Sequence, residues 1–450
     1  MRIPIVSQVE DLDQAPRKFL WFAVFNVFSW QCIVGPVLVL FARALDMPPS
    51  WVGFLISFMP LSMLLVVTTI PLVTRFGPKR LMSTAWVLRN LTMCSVFLMP
   101  CAMSHWGPRA AWYVLLGATL GFCLIRAIGA SAWFPWLHEV VPEGQRAAYF
   151  SAETAIAQVV AVCVAAIQAV VLHGHPGVPR FLCVYGMGIA SGLVSVVWMS
   201  RVPGGAAPTG ARPERLGLTA YRVALADRSY VAFALTAALC LFCISWYTAS
   251  VVLYMRDAVG MASRTIMILM ATGGTGTLLT IHFWGRFAKH SGSGRAMFKT
   301  LIAHSIAALS FVLMNPGSPR ILWALAPALV CATVFAAAFR LAANRAMLNY
   351  VHASHRPAYT NLWIGGTSAA LSLAPILAGL VIHHWHLLGF RICFAISGGV
   401  GLCCAAACRW VVQDGAPFEP SLARMLNPVL PLRTLLRIVW VTVGLHESNR

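Results

Sequence analysis

Long apolar runs separated by short polar loops dominate this chain. Twelve of them approach or exceed the roughly 20 residues needed to cross about 30 Å of hydrocarbon. They lie at 19–42, 51–74, 81–103, 112–136, 150–172 and 181–200 in the first half, and at 230–255, 265–284, 298–314, 321–346, 360–384 and 390–412 in the second. None alternates as a barrel strand does, and a segment in lipid must satisfy its own backbone, so all twelve are expected to be helices. The pattern predicts an all-α membrane protein of twelve transmembrane helices in two pseudo-symmetric bundles, 19–200 and 230–412. A cytoplasmic segment 1–18 precedes them, a linker 201–229 rich in Pro, Gly and Arg joins them, and a cytoplasmic tail 413–450 follows.

The halves repeat each other. Arg146-Ala-Ala-Tyr149 returns as Arg356-Pro-Ala-Tyr359, Arg75-Phe76 as Arg286-Phe287, and Leu40-Phe-Ala-Arg43 as Leu253-Tyr-Met-Arg256, all at spacings of 210 to 213 residues. Parallel repeats of this kind place a binding site near the midplane between bundles that rock against each other. Gly273, Gly274 and Gly276, with Gly365 and Gly366, are expected to allow close packing and bending of helices; neither cluster has the surroundings of a phosphate loop.

Composition supports the membrane reading: 59 % of residues are hydrophobic and 10 % charged, against about 25 % charged in soluble domains. With both termini placed in the cytoplasm, the inner ends hold 24 Lys and Arg and the outer loops seven, the bias that orients spans. The net charge of +20 is then an insertion and anionic-lipid signal, and nucleic acid is not an expected partner. Glu10, Asp11 and Asp13 precede the first run with no small-residue cleavage site after it, so no removable signal peptide is expected. The expected location is a bacterial inner or plasma membrane, with the chain functional as a monomer.

Thirteen cysteines lie almost wholly inside spans and read as small buried hydrophobes. Cys240 and Cys243 form a CxxC in mid-span without a second pair in sequence, and His383, His384 and His386 cluster in an outer loop without an acidic neighbour. No metal site, cofactor or enzymatic constellation is therefore expected. Residues 430–445 are too short and too interrupted by Arg433 and Arg437 to span, and an interfacial helix is expected there.

Two loops carry a family resemblance. The segment Thr74-Arg-Phe-Gly-Pro-Lys-Arg80 resembles the short gate loop of the major facilitator superfamily. Trp136-Leu-His-Glu-Val-Val-Pro142-Glu-Gly-Gln-Arg146-Ala-Ala-Tyr149 resembles a bacterial pattern of the same family, and the likeness extends over residues 17–412. It implies a secondary carrier working by alternating access, with the first and fourth spans of each half lining the cavity. Thr74 stands where the signature has aspartate, with Gly285 as its counterpart in the second half, so the charge network of the inward gate is expected to be weaker. Arg75, Gly77, Arg146 and Arg356 are the gate residues this likeness indicates.

Arg126 is the leading candidate for binding, near the middle of its span and too deep to snorkel easily. Its forked donors suit a carboxylate, a phosphate or sugar hydroxyls; the plain alternative is an arginine that pairs with a helix-end carbonyl or with Glu153. Arg126-Ala-Ile-Gly129 also loosely resembles a fourth-span motif of the family. Arg89, about 12 Å into its span, is explained by snorkelling or by a part in coupling. Asn26, Trp30 and Gln31 on the first span, Trp246 and Tyr247 on the seventh and Asn344 on the tenth complete the expected lining, where rings beside hydrogen-bonding groups suit a polar organic solute.

Glu153 is the one acid inside a span, and no carboxylate sits at the midplane. That disfavours cationic cargo and leaves Glu153, His282 or His304 as proton sites if a coupling proton or ion is used. The expected function is transport of a small polar solute, neutral or anionic. The alternatives are efflux of lipophilic compounds, or a sensor that binds a solute and moves none.

Overall fold

A computed structural model describes residues 12–142, 145–174, 176–206, 218–351 and 356–412; among them there are helices and turns and no strand. Ten helices are long and apolar enough to cross a membrane, and eleven if Ser263–Ser291, bent by 45° between Ile281 and Phe283, is counted as one span. The longest, Arg356–Val411, is two helices that meet at His386 (φ 47°, ψ −119°). At about 1.5 Å per residue a straight helix of that length would be well over twice a bilayer's thickness, and a count of twelve rests on this division. The reversal is tighter than the predicted outer loop: at Gly389 a Cβ would stand 2.6 Å from the Val381 carbonyl oxygen.

Prolines set the breaks within spans, because a proline cannot donate to the carbonyl four residues back and its ring crowds that carbonyl. The first span is Gln14–Ile33 and Pro36–Ala44, interrupted at Gly35 (φ 102°, ψ −146°), a conformation that excludes side chains. The second is Pro49–Ser62 and Ile70–Phe76, with a 3₁₀ stretch Met63–Thr69 ahead of Pro71. The third, Pro78–Met93 and Met99–Trp106, has a similar stretch, Cys94–Leu98, ahead of Pro100. The fourth was expected as one helix to residue 136; instead Ala110–Ala130 gives way at Ser131 to Trp133–Val140, because Pro135 cannot bond the Ser131 carbonyl.

The internal repeat is visible at matched ends. Helices Arg146–Val171 and Arg356–Val411 begin 210 residues apart, and Tyr149 and Tyr359, three residues into each, are both buried. The first helix of each half is tied to that same place. Asp13 exchanges hydrogen bonds with Gln145, and Asp227 accepts one from the Tyr359 hydroxyl at 3.2 Å. The third match also holds: Arg43 donates to the Met47 carbonyl and Arg256 to that of Met261.

The match of Arg75 to Arg286 is corrected. Gly77 (φ 79°, ψ 146°) has its counterpart in Gly292 (φ 88°, ψ 149°), each ending one helix and starting the next. Arg286 and Phe287 lie inside Ser263–Ser291, about one turn early. His290 thus corresponds to Arg75 and Lys289, not Gly285, to Thr74.

Three large hydrophobic clusters define how the halves meet. One draws on both halves and includes Phe41, Val52, Phe58, Tyr254, Ile266, Phe311 and Ile382. The second belongs to the second half and contains Val412; the third belongs to the first half and contains Leu12. The halves therefore share one core at the end away from the described termini and keep separate cores at the other. At the shared end the Gly53 and Gly379 backbones touch, where a Cβ on Gly53 would meet the Pro375 carbonyl oxygen at 2.1 Å. Arg43 Nε also donates to Asp257 Oδ1 across the halves at 2.9 Å.

Of the other glycines, Gly273 and Gly276 pack against Thr333, Val330 and Val334, and Gly274 meets Val162 across the halves. Gly365 and Gly366 face open space, so the expectation of close packing fails for that pair. Among the described linker residues, Val202, Pro203 and Gly205 are held by Lys79, Trp136 and Glu139, and Leu218–Ala226 is a helix. The predicted helix at 430–445 lies outside the described residues, as do the side chains of Arg146, His282 and Arg356.

Candidate functional site

The two parts of the fourth span run from Ala110 to Val140, and Arg126 lies near their middle. Its side chain is half-buried, with the guanidinium 4.6 Å from the centre of the Trp30 ring. Nη1 approaches the sulfurs of Met59 and Met63 at 3.4 and 3.5 Å. These are weak acceptors, so most of the donor fork is uncommitted. Among the described residues, neither a helix-end carbonyl nor Glu153 bonds it.

Arg89 is eleven residues beyond Pro78, about 16 Å along the third span, and its exposure is 0 %. A snorkelling arginine would place its head at the interface; this one turns into the bundle, so that reading is corrected. Nη2 donates to Asn26 Oδ1 at 2.7 Å, and Trp86 Nε1 donates to the same oxygen at 2.9 Å. The guanidinium lies 4.3 Å from the Trp86 ring and 5.1 Å from Phe122, which in turn is 6.3 Å from Trp30. Nε and Nη1 of Arg89 have no partner, nor does the Thr119 hydroxyl nearby in sequence on the fourth span.

Arg126, Trp30, Phe122, Arg89, Trp86 and Asn26 thus form one continuous chain of contacts inside the first half. Arg126, Trp30, Asn26 and Arg89 were legible candidates. Met59, Met63, Trp86 and Phe122 were missed, although Met59 and Met63 are four apart, the spacing that puts two side chains on one helix face. Gln31 is half-buried, and its backbone carbonyl accepts from Gln168 at 2.8 Å.

The second-half candidates are placed differently. Trp246 and Tyr247 are buried in the shared core, with Trp246 Nε1 and the Tyr247 hydroxyl unpartnered. Tyr247 stands edge-on to His304, whose Nδ1 lies 2.9 Å from the Ala332 carbonyl. Asn344 is exposed on Ile321–Tyr350. Glu153 is half-buried near Tyr149 at the start of the fifth-span helix, Arg75 is exposed over Phe76, and Gly77 caps its loop.

The CxxC meets a cysteine from the last span. Cys408 is 3.5 Å from Cys240 sulfur to sulfur, and both are buried. Among the described residues no group of three or more His, Cys, Asp or Glu is arranged to hold a metal ion, and the three histidines near residue 385 are exposed.

Residues 235–445 match the family model Major Facilitator Superfamily, and the first half repeats the helices of the matched half. The second half of the chain thus carries the pattern of that family. The described helices are those of a multi-pass membrane protein. No curated protein sequence matches it significantly. Among solved structures, the nucleoside transporter NupG superposes with a TM-score of 0.65 at 14 % identity, covering 92 % of this chain and 100 % of that one. A bacterial homologue of the iron transporter ferroportin in an inward-facing state gives 0.68 at 12 %, covering 89 % and 99 %. A bacterial homologue of the lysosomal transporter Spinster, inward-facing and unoccupied, gives 0.56 at 15 %, covering 97 % and 100 %. At these identities the likeness is one of fold.

Proposed function

We propose that this protein is a secondary carrier of the major facilitator type that moves a small polar solute, neutral or anionic, by alternating access, with Arg126 at the centre of its binding site. The observation that carries the reading is the half-buried guanidinium of Arg126, stacked on Trp30 with methionine sulfurs as its polar contacts. A charge at mid-span persists where it faces a cavity or a partner, and among the described residues two weak sulfur acceptors are what approaches its fork. Trp30 and Gln31 from the first span and Asn344 from the tenth line the path in this reading. Asn26 supports it through Arg89, while Trp246 and Tyr247 become available as the shared core loosens.

The separate cores at the end bearing the termini, set against the shared core at the other, support a conformation open to the cytoplasm when the orientation follows the Lys and Arg bias. Arg75, Gly77, Arg146 and Arg356 then sit at the mouth of that opening.

The test is uptake of a panel of neutral and anionic metabolites into vesicles containing the purified carrier, beside Arg126→Ala. Transport of a panel member by the parent and its loss in a variant of unchanged melting temperature is the expected result. A fully active variant overturns the role of Arg126, and stabilisation by lipophilic cations alone favours efflux instead.

A further inference from the structure

The reading above leaves the sign of the cargo's charge open, and the distribution of carboxylates narrows it. Those of the described residues are located away from the arginine chain. Asp13 is bonded to Gln145, Glu139 to the Gly205 amide, Asp227 to Tyr230 and Tyr359, and Asp257 to Arg43. Asp46 lies in the turn after Pro36–Ala44, and Glu153 stands beside Tyr149. Arg89 and Arg126 meanwhile lie on either side of one ring pair, the first 5.1 Å from the centre of Phe122 and the second 4.6 Å from that of Trp30, with the two rings 6.3 Å apart. One is wholly enclosed with two N–H groups unpartnered; the other opens its fork beside Trp30.

Two like charges in a low-dielectric interior repel each other and are poorly solvated. The species that relieves both penalties is an anion. Neutral hydroxyls would satisfy the fork of Arg126 but leave the repulsion between the two guanidiniums untouched. A third arginine strengthens the bias. Arg340 is exposed, on the second-half counterpart of the fourth span and about one turn beyond the position 210 residues after Arg126. It adds a third positive charge within a span, on a helix that has no Asp or Glu.

We propose that the cargo is a small organic anion bearing a carboxylate or phosphate group, held by Arg126 at the cavity face, with Arg89 behind the Phe122 ring supplying the second positive charge that selects its sign. The inference rests on the reading of Arg126 as the solute-binding residue. Arg89 is a positioning residue: it touches Asn26, Trp86 and Phe122 and acts on the solute through its field.

The test uses the full chain in detergent and in phosphatidylcholine vesicles. Thermal shift and uptake are measured with mono- and dicarboxylates and phosphate monoesters, each beside an uncharged amide or alcohol of the same size, for the parent, Arg126→Gln, Arg89→Lys and Arg89→Gln. Anions are expected to stabilise the parent and their neutral analogues are not. Anion affinity falls about tenfold or more in Arg126→Gln, the size of a lost charge-assisted hydrogen bond. It falls about tenfold in Arg89→Gln, while Arg89→Lys, which keeps the charge, stays within about threefold of the parent. Neutral analogues that bind as well as the anions overturn the inference, as does unchanged anion affinity in Arg89→Gln. If that neutral binding still depends on Arg126, the proposed function stands while the anion assignment fails. A parent stabilised by no anion overturns the assignment without any variant, so a poorly folding Arg89→Gln does not protect it.

Discussion

Asn26 shows how one side chain settles the state of another. Its carbonyl oxygen accepts from both Arg89 and Trp86, and in the described structure it is the hydrogen-bond acceptor for an otherwise enclosed cation. Asn26→Ala is expected to destabilise the protein by about 2–4 kcal/mol, since it leaves a buried charge without its acceptor; the melting temperature of the purified variant checks this. Asn26→Asp places a carboxylate against Arg89 instead. Its melting temperature should match or exceed that of the parent while anion binding weakens, and unchanged binding would remove Arg89 from the selection of charge. Arg126 was legible because charge in an apolar run is rare. Arg89 was misread because distance along a helix does not reveal which way a side chain turns, and the helix starts three residues earlier than the apolar run.

The helices owe their ends to residues with restricted or unusual backbones, and these can be tested individually. Gly77 and Gly292 share a φ near +80°, a region that costs a side chain roughly 1–2 kcal/mol. Gly77→Ala and Gly292→Ala should each lower stability by about that amount, measured by thermal melting, with the gate loop of the affected half distorted. Gly53 lies against Pro375 and Gly379 with no room for a Cβ. Gly53→Val should therefore force the second and eleventh spans apart and slow transport, whereas Gly365→Ala, facing open space, should leave it nearly unchanged. The periods and lengths of apolar runs located nearly every helix. The break at Ser131, the helix at Leu218 and the reversal at His386 escaped because each depends on one or two local bonds inside or beside an unbroken pattern.

The halves are held together at one end by a shared core and by Arg43 with Asp257, and at the other each half fastens to itself through Asp13 with Gln145 and Asp227 with Tyr359. A carrier that rocks must loosen the shared end. Asp257→Asn is expected to favour that step. A cysteine introduced at Val52, which is fully buried in the shared core, should then react faster with a membrane-impermeant thiol reagent, in a background whose exposed cysteines are replaced. Equal labelling rates with and without the ion pair would show that the core alone sets the closure.

Hydrophobic length and the spacing of the repeat were enough to indicate membrane-spanning helices and their duplication, because both follow from transfer of side chains and backbone into lipid and are written locally along the chain. Which arginine is enclosed, which carboxylates are taken up elsewhere, which cysteine meets Cys240 and at which end the halves share a core depend on contacts between segments up to two hundred residues apart. Those were decided by the packing of helices against one another, which no single run encodes.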